Sequence, residues 1–372
     1  MKEIKRNILL NPGPATTSDE VKYAMVVPDI CPREEEFCKI MDSIKNDLPK
    51  VVNAGDEYTS TMFASSGTGA VEAAITSAVP QDGKLLVIDN GAYGARMVQI
   101  AERYSISFIK YKIEYGDYPQ IKEIEKIITS NRDITHIAVV DHETTTGMRN
   151  PIKEICELAH KNDIEVIVDC MSSYAGLPID LDTWQAEYII SSSNKCIQGM
   201  AGLGFVIFKK HLLEKIKNNA RSFYFDLYAQ HQGFYQTGQM PFTPPVQVVY
   251  ALRKALDMFF EETVEGRIDR YKENHKILYL GLEKFGFKFL LPKKYQSGIL
   301  LAVKEPTNTE YDFNSMHDYF YERGFTIYPG KGAKDATFRL SILGDLRPDD
   351  INKFLEQMQE YLKANNIIKI EY

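Results

Sequence analysis

Metal-ligand spacing, nucleotide fingerprints, long apolar runs and an excess of basic charge are all missing from this chain. The five cysteines, Cys31, Cys38, Cys156, Cys170 and Cys196, are odd in number and fall at no metal-binding interval. They read as reduced thiols of a cytoplasmic protein, with no metal site expected. No apolar run approaches the roughly 20 residues needed to span a bilayer, so no membrane partner is expected. After Lys5 and Arg6, Ile8-Leu9-Leu10 is too brief for a secretory core before Pro12. A net charge of −7 argues against a polyanion-binding surface and hence against nucleic acid. Neither Gly-x-Gly-x-x-Gly after a strand nor Gly-x-x-x-x-Gly-Lys-Ser/Thr occurs. Repeats and low-complexity linkers are absent too.

What is present is enough for a large core. The 372 residues are 44% hydrophobic and 26% charged, which suits two domains. Strand-like and helical segments alternate from about Leu85 to Phe208, predicting an α/β fold with a mostly parallel sheet covered by helices. Helices are expected over residues 91–104, 119–129 and 151–161. A long amphipathic segment, 245–260, with a charged continuation to Lys284, leads to a smaller mixed unit. Its expected strands are 298–303 and 337–342, and its expected helices 313–323 and 348–364. The boundaries expected are an arm at 1–15, a large domain at 16–260 and a small C-terminal domain at 261–372.

Two short apolar runs carry the chemistry. Ile164-Glu165-Val166-Ile167-Val168 delivers Asp169, and Tyr188-Ile189-Ile190 leads through Ser191-Ser192-Ser193-Asn194 to Lys195. Read as buried strands, they put an acid and an amine at strand ends of one sheet, where ligands of open α/β sheets bind. That pair suits pyridoxal 5'-phosphate. The amine can hold the cofactor aldehyde as a Schiff base, and the carboxylate can keep the pyridine nitrogen protonated. Taken alone, Lys195 reads equally as a solvated loop residue and Asp169 as a turn residue, so the pair needs a phosphate site beside it. Ser65-Ser66-Gly67-Thr68-Gly69 opens a strong helix-forming run, where free N–H groups and the positive dipole end converge on an anion. An ordinary capped helix is the alternative.

Two more segments fit the same ligand. Asn90-Gly91-Ala92-Tyr93-Gly94 follows Leu85-Leu86-Val87-Ile88 and puts an aromatic where it could stack on a flat ring. His142-Glu143-Thr144-Thr145-Thr146-Gly147 follows Ile137-Ala138-Val139-Val140 and offers hydroxyls. His142 is the only histidine of seven near these segments.

With Asn11-Pro12-Gly13-Pro14, Val168-Asp169-x-Met171-Ser172-Ser173 and Asn194-Lys195, this ordered set resembles the class V, fold type I pyridoxal-phosphate aminotransferases nearly end to end. The resemblance implies that Lys195 binds the cofactor covalently, Asp169 pairs with the pyridinium and Tyr93 stacks on the ring. Ser66, Gly67 and Thr68 would hold the phosphate, and Thr144 would face the ring hydroxyl. Thr243, in Phe242-Thr243-Pro244-Pro245, would reach the cofactor phosphate of a neighbouring subunit, which implies a homodimer with sites at the subunit interface. Arg339 would grip the substrate's anion, and Gly13 also falls at a substrate-binding position. Cys170 and Met200-Ala201 depart from the family pattern without touching these roles, and the match weakens between Gln230 and Met240.

Within the family a narrower resemblance rests on Glu57-Tyr58-Thr59-Ser60, Asn90-Gly91-Ala92-Tyr93-Gly94-Ala95-Arg96-Met97, Ser192-Ser193-Asn194-Lys195-Cys196-Ile197-Gln198-Gly199, Asp226-Leu227-Tyr228-Ala229-Gln230 and Ile327-Tyr328-Pro329-Gly330-Lys331. That resemblance implies transamination of 2-aminoethylphosphonate with pyruvate, giving phosphonoacetaldehyde and L-alanine in phosphonate degradation. A serine or alanine–glyoxylate (or pyruvate) aminotransferase would share the cofactor residues. A cysteine desulfurase would need a late-loop cysteine, and none follows Cys196. A non-catalytic α/β small-molecule-binding protein would use the same sheet-edge pocket without covalent chemistry.

Overall fold

Seven strands form one sheet: Tyr58–Ala64 (β1), Lys84–Asp89 (β2), Ser107–Lys112 (β3), Ile134–Val140 (β4), Glu165–Asp169 (β5), Tyr188–Ser192 (β6) and Leu203–Lys209 (β7). The computed structural model describes residues 4–330, 332 and 335–372; Lys331 of the Ile327-to-Lys331 motif lies outside the described residues. The spatial order is β1-β7-β6-β5-β4-β2-β3. Strands β2 to β6 are mutually parallel, and β7 is antiparallel to both its neighbours. β1 therefore points the same way as β2 to β6, and the sheet is mostly parallel as the alternation predicts.

The strands read as continuous apolar runs because helices cover both faces. Ile137 and Val139 of β4 enter one core with Leu86, Ile88, Val166, Val168 and Ile189. Their neighbours Ala138 and Val140 enter the other, with Leu85, Val87, Ile167 and Ile190. This strict alternation is the two-residue period of a strand. Edge strand β3 is half exposed, and its mixed Ser-Phe-Ile-Lys-Tyr-Lys run gives no comparable apolar signal.

The helices expected over 91–104, 119–129 and 151–161 are Ala92–Arg103, Ile121–Ser130 and Ile152–His160. The segment from 245 to 284 differs from expectation. It is two helices, Val246–Glu262 and Val264–Phe285, broken at Thr263, whose φ is +67°. The Thr263 hydroxyl accepts the Gly266 N–H at 3.1 Å and so caps the second helix. No glycine or proline marks this break, so periodicity alone runs through it.

In the C-terminal part, Leu300–Lys304 (β8), Tyr328–Pro329 (β9) and Thr337–Ser341 (β10) form an antiparallel sheet in the order β8-β10-β9. Helices Phe313–Glu322 and Pro348–Ala364 complete it through an aromatic cluster of Phe320, Phe354 and Tyr361. The arm joins the two sheets. Ile8–Leu9 pairs in parallel with Phe325–Thr326, the Leu10 carbonyl accepts Ser341 N–H at 2.7 Å, and Ala15 N–H donates to the Asn194 carbonyl at 3.0 Å. Among the described residues no helix is long and apolar enough to cross a membrane.

Candidate active site

Because β1, β2, β4, β5 and β6 point one way, the segments that follow them gather at one edge of the sheet. There they enclose a cavity of about 430 Å³. Its wall includes Ser66, Gly67, Thr68, Tyr93, Thr144, Asp169 and Lys195, seven of the ten residues singled out from the sequence. Register explains the pairing of acid and amine. Asp169 lies opposite Val140 on one side and Ile190 on the other, so the loop carrying Lys195 leaves β6 beside the end of β5.

Lys195 is half-buried, and its ammonium donates to the Pro12 carbonyl at 2.7 Å. Burial lowers its pKa first; Cys196 and Asp169 pull the other way, Arg339 and Arg96 add to the fall, and the result is about 8. Asp169 is held by Met171 N–H, which donates to Oδ1 at 2.8 Å. Burial raises its carboxyl to about 6, with nearby Glu143 adding to the rise and the Met171 amide, Arg96 and Lys195 opposing it. A carboxyl of this kind ionises readily once a cation is placed beside it.

Ser66 is the N-cap of helix Gly67–Ala78. Its side chain makes no capping bond to that helix, and the helix start at Ser66, Gly67 and Thr68 lines the cavity. A Cβ on Gly67 would lie 2.1 Å from the Met171 sulfur. The Thr68 hydroxyl accepts from Arg96 Nη1 at 3.1 Å, and the same guanidinium sits over the Tyr93 ring, 4.9 Å from its centroid.

Three residues lie off the wall. Gly13 backs Lys195 directly: at φ +119° its missing Cβ would fall 2.2 Å from Nζ. Arg339, on β10, donates from Nε to the Pro329 carbonyl at 3.0 Å and from Nη1 to the Thr144 carbonyl at 3.4 Å. It is 8% exposed and has no ion pair among the described residues. Thr243 is exposed and takes no part in its own chain's cavity.

Other residues join the site without having been assigned a role from the sequence. His142 lines the cavity; its Nδ1 meets the Ser172 hydroxyl at 3.0 Å, and its buried Nε2 has no partner. Burial, with Arg149 and Lys195 adding, lowers its pKa to about 3, so the ring is neutral. Glu143 is wholly buried and accepts Tyr93 N–H at 3.1 Å, Thr145 N–H at 3.0 Å and the Thr145 hydroxyl at 2.6 Å. Helix Ala92–Arg103 starts at Gly91 with no cap of its own, and this carboxylate supplies one from another strand connection. Arg96 and Glu143 both stood in the motifs, but spacing could not say what they touch.

A parallel sheet with an acid, an amine and an open helix start at its carboxyl edge defines a fold type I transferase. The chain belongs to the class V aminotransferase family, whose model matches residues 19–309. It is 40% identical over 356 residues to the 2-aminoethylphosphonate–pyruvate transaminase of Vibrio vulnificus, covering 95% of this chain and 97% of that one. It is 41% identical over 352 residues to the protein of the same name from Bacillus cereus, covering 94% and 96%. Among solved structures, alanine–glyoxylate aminotransferase from Nostoc superposes with a TM-score of 0.88 at 25% identity, covering 97% of this chain and 96% of that one. Ureidoglycine–glyoxylate aminotransferase from Bacillus subtilis, at 0.90 and 22%, covering 98% and 95%, shares the fold.

Proposed function

We propose that this chain transfers the amino group of 2-aminoethylphosphonate to pyruvate, using pyridoxal 5'-phosphate, and releases phosphonoacetaldehyde and L-alanine in phosphonate degradation. The observation that carries the reading is that Lys195 and buried Asp169 line one cavity in a chain about 40% identical, nearly end to end, to proteins named for that activity. The cavity suits the cofactor on its own evidence. Among the described residues it has an orphaned imidazole nitrogen on His142, a carboxyl on Asp169 that forms no ion pair, and a helix start whose N-cap side chain makes no capping bond.

When bound, pyridoxal phosphate supplies an aldehyde that links to amines and a ring that takes up electrons. Ser66, Gly67 and Thr68 would hold its phosphate, with Arg96 orienting the Thr68 hydroxyl. Tyr93 would stack on its ring, Thr144 and neutral His142 would offer polar contacts to it, and Asp169 would keep the ring nitrogen protonated. Lys195 would hold the group covalently, and its free amine would move a proton at Nζ; a pKa near 8 lets the amine take and return it near neutral pH. Arg339 forks onto the phosphonate in one half-reaction and the carboxylate of pyruvate in the other. Gly13 keeps the space that Lys195 needs.

The chain acts as a homodimer in this reading, with exposed Thr243 reaching the phosphate bound by the partner subunit, and it works in the cytoplasm. The domains are an arm at 1–15, a cofactor-binding unit at 16–260 and a small unit at 261–372. The test is a donor and acceptor screen on the purified protein, which should be yellow. 2-Aminoethylphosphonate with pyruvate should far outrun serine with glyoxylate and outrun 2-aminoethanol, which lacks the anion. Equal efficiency with serine and glyoxylate would assign the chain to the glyoxylate aminotransferases, and a colourless protein that binds no cofactor would end the enzyme reading. In Lys195→Ala, borohydride reduction should leave no pyridoxyl adduct and turnover should vanish, with the circular dichroism unchanged.

A further inference from the structure

The break at Thr263 brings together three charged residues that the reaction above does not use. Glu262 ends one helix, and its carboxylate takes two arginines from the next. Oε2 accepts from Arg267 Nε and from Arg270 Nη2 at 3.0 Å, while Oε1 accepts from Arg270 Nε at 2.5 Å. In an unbroken helix the eight-residue step from Glu262 to Arg270 would span roughly 12 Å, so these bonds depend on the turn. One carboxylate between two guanidiniums leaves a positive charge over, in a place where Arg267 is 2% exposed. Buried cations need acceptors, and the remaining N–H groups find them on main-chain carbonyls. Arg267 Nη1 donates to Cys196 O at 2.7 Å; Arg270 Nη1 donates to Gly344 O and Leu346 O, each at 3.0 Å.

Those carbonyls are not scattered. Cys196 follows Lys195, and Gly344 stands in the loop after β10, the strand that carries Arg339. Tyr271, beside Arg270, repeats the pattern: its hydroxyl accepts from Gln198 Nε2 and from Gly344 N–H, each at 2.9 Å. Helix Val264–Phe285 thus holds the lysine loop and the arginine strand's loop on one rigid element.

We propose that Glu262 is a positioning residue for Lys195 and Arg339, acting through Arg267 and Arg270 on the peptide after the lysine and on the loop after the arginine strand. Burial alone would raise the Glu262 carboxyl, but the hydrogen bond from Arg270 and the charge and bond of Arg267 bring it down to about 2, so it stays ionised at any working pH. The proposal rests on the reading of Lys195 as the proton-moving amine and Arg339 as the anion anchor. A misplacement of about 1 Å in such a group can cost roughly 100-fold in rate.

The test compares Glu262→Gln, Arg267→Lys and Arg270→Met in the full cofactor-loaded protein, with circular dichroism checking the fold. Arg267→Lys keeps the charge but cannot fork. It should lower kcat roughly 10- to 100-fold with a smaller change in KM for pyruvate, and Arg270→Met should raise that KM more than it lowers kcat. A second readout needs no turnover. In the cofactor-free protein, the pH midpoint for acylation of Lys195 by acetic anhydride, followed by peptide mass mapping, should shift in Glu262→Gln and Arg267→Lys. If Glu262→Gln does not fold, the Glu262→Gln/Arg267→Met pair takes away the extra positive charge that the single change leaves and returns the cluster to its wild-type net charge, and it should fold yet stay slow with the midpoint still displaced. Recovery of wild-type kcat and midpoint in that pair, or their retention in Arg267→Lys, would overturn the proposal. Failure of the wild type to transaminate at all would instead strike the functional reading, and the acylation midpoint would still judge Glu262.

Discussion

The Lys195 side chain occupies the space that a Cβ on Gly13 would take, with Nζ 2.2 Å from that point, while the neighbouring Pro12 carbonyl accepts the ammonium at 2.7 Å. Pro12 and Gly13 thus set where the Lys195 amine stands. Gly13→Ala meets two penalties at once, because φ +119° is a region that residues with a Cβ rarely enter. Such strain costs roughly 1–3 kcal/mol. Displacement of Lys195 should lower kcat roughly 100-fold and slow formation of the borohydride-reducible adduct, measured by the yield of pyridoxyl-Lys195 against time. Wild-type adduct kinetics in this variant would show that Lys195 tolerates the intrusion.

Asp169 makes the cofactor-free protein sensitive to acid in an unusual sense. Burial raises its carboxyl from an ordinary 3.8 to about 6, so between those values the folded chain binds more protons than the unfolded one. Stability from this group is fully present below pH 3.8 and is lost as pH rises through 6, by at most roughly 3 kcal/mol. Lys195 acts in a separate window: with its pKa lowered to about 8, its contribution rises from there towards its ordinary 10.5. Asp169→Asn should remove the lower slope and make the cofactor-free protein more stable than wild type at pH 7, as read by urea unfolding across pH 4 to 8. The same variant should lose most activity when loaded, because no carboxylate holds the ring proton.

Among the described residues Arg339 donates to two carbonyls and forms no ion pair. Burial lowers its pKa, with nearby Tyr93 and Glu143 opposing, so an arriving anion completes a charge pair rather than competing with one. Arg339→Ala should cost roughly 2–5 kcal/mol in kcat/KM for both 2-aminoethylphosphonate and pyruvate. Arg339→Lys should restore part of it, since an ammonium cannot fork onto two oxygens. Steady-state kinetics of the two half-reactions checks this, and unchanged values would remove Arg339 from the site.

Thr243 is exposed and apart from its own cavity, the position expected of a group that serves a second subunit. Thr243→Ala should weaken cofactor retention in the dimer without blocking the covalent link to Lys195. Saturating pyridoxal phosphate should favour assembly, by about 2.7 kcal/mol at a hundredfold excess over Kd. Light scattering with and without cofactor measures this, and fully active monomers would refute it.

Local patterns carried much of this protein. Two apolar runs, each ending in a charged residue, located Asp169 and Lys195, because strands buried on both faces are continuous in sequence and ligand sites follow their carboxyl ends. The helix start at Ser66-Gly67-Thr68 was legible because it is a local event, and the structure puts it on the cavity wall. The resemblance to a family carried Thr144, Thr243 and Arg339, which no spacing could have joined. Tertiary structure alone decided the rest. Glu143 caps a helix 50 residues upstream in the chain, and Arg339 meets Thr144 across 195 positions. His142 is left neutral with a free nitrogen chiefly by the burial around it, and the turn at Thr263 places Glu262 against two arginines. Each depends on long-range packing and on burial, which changes what a charge or a polar atom costs, and neither is written in the order of the residues.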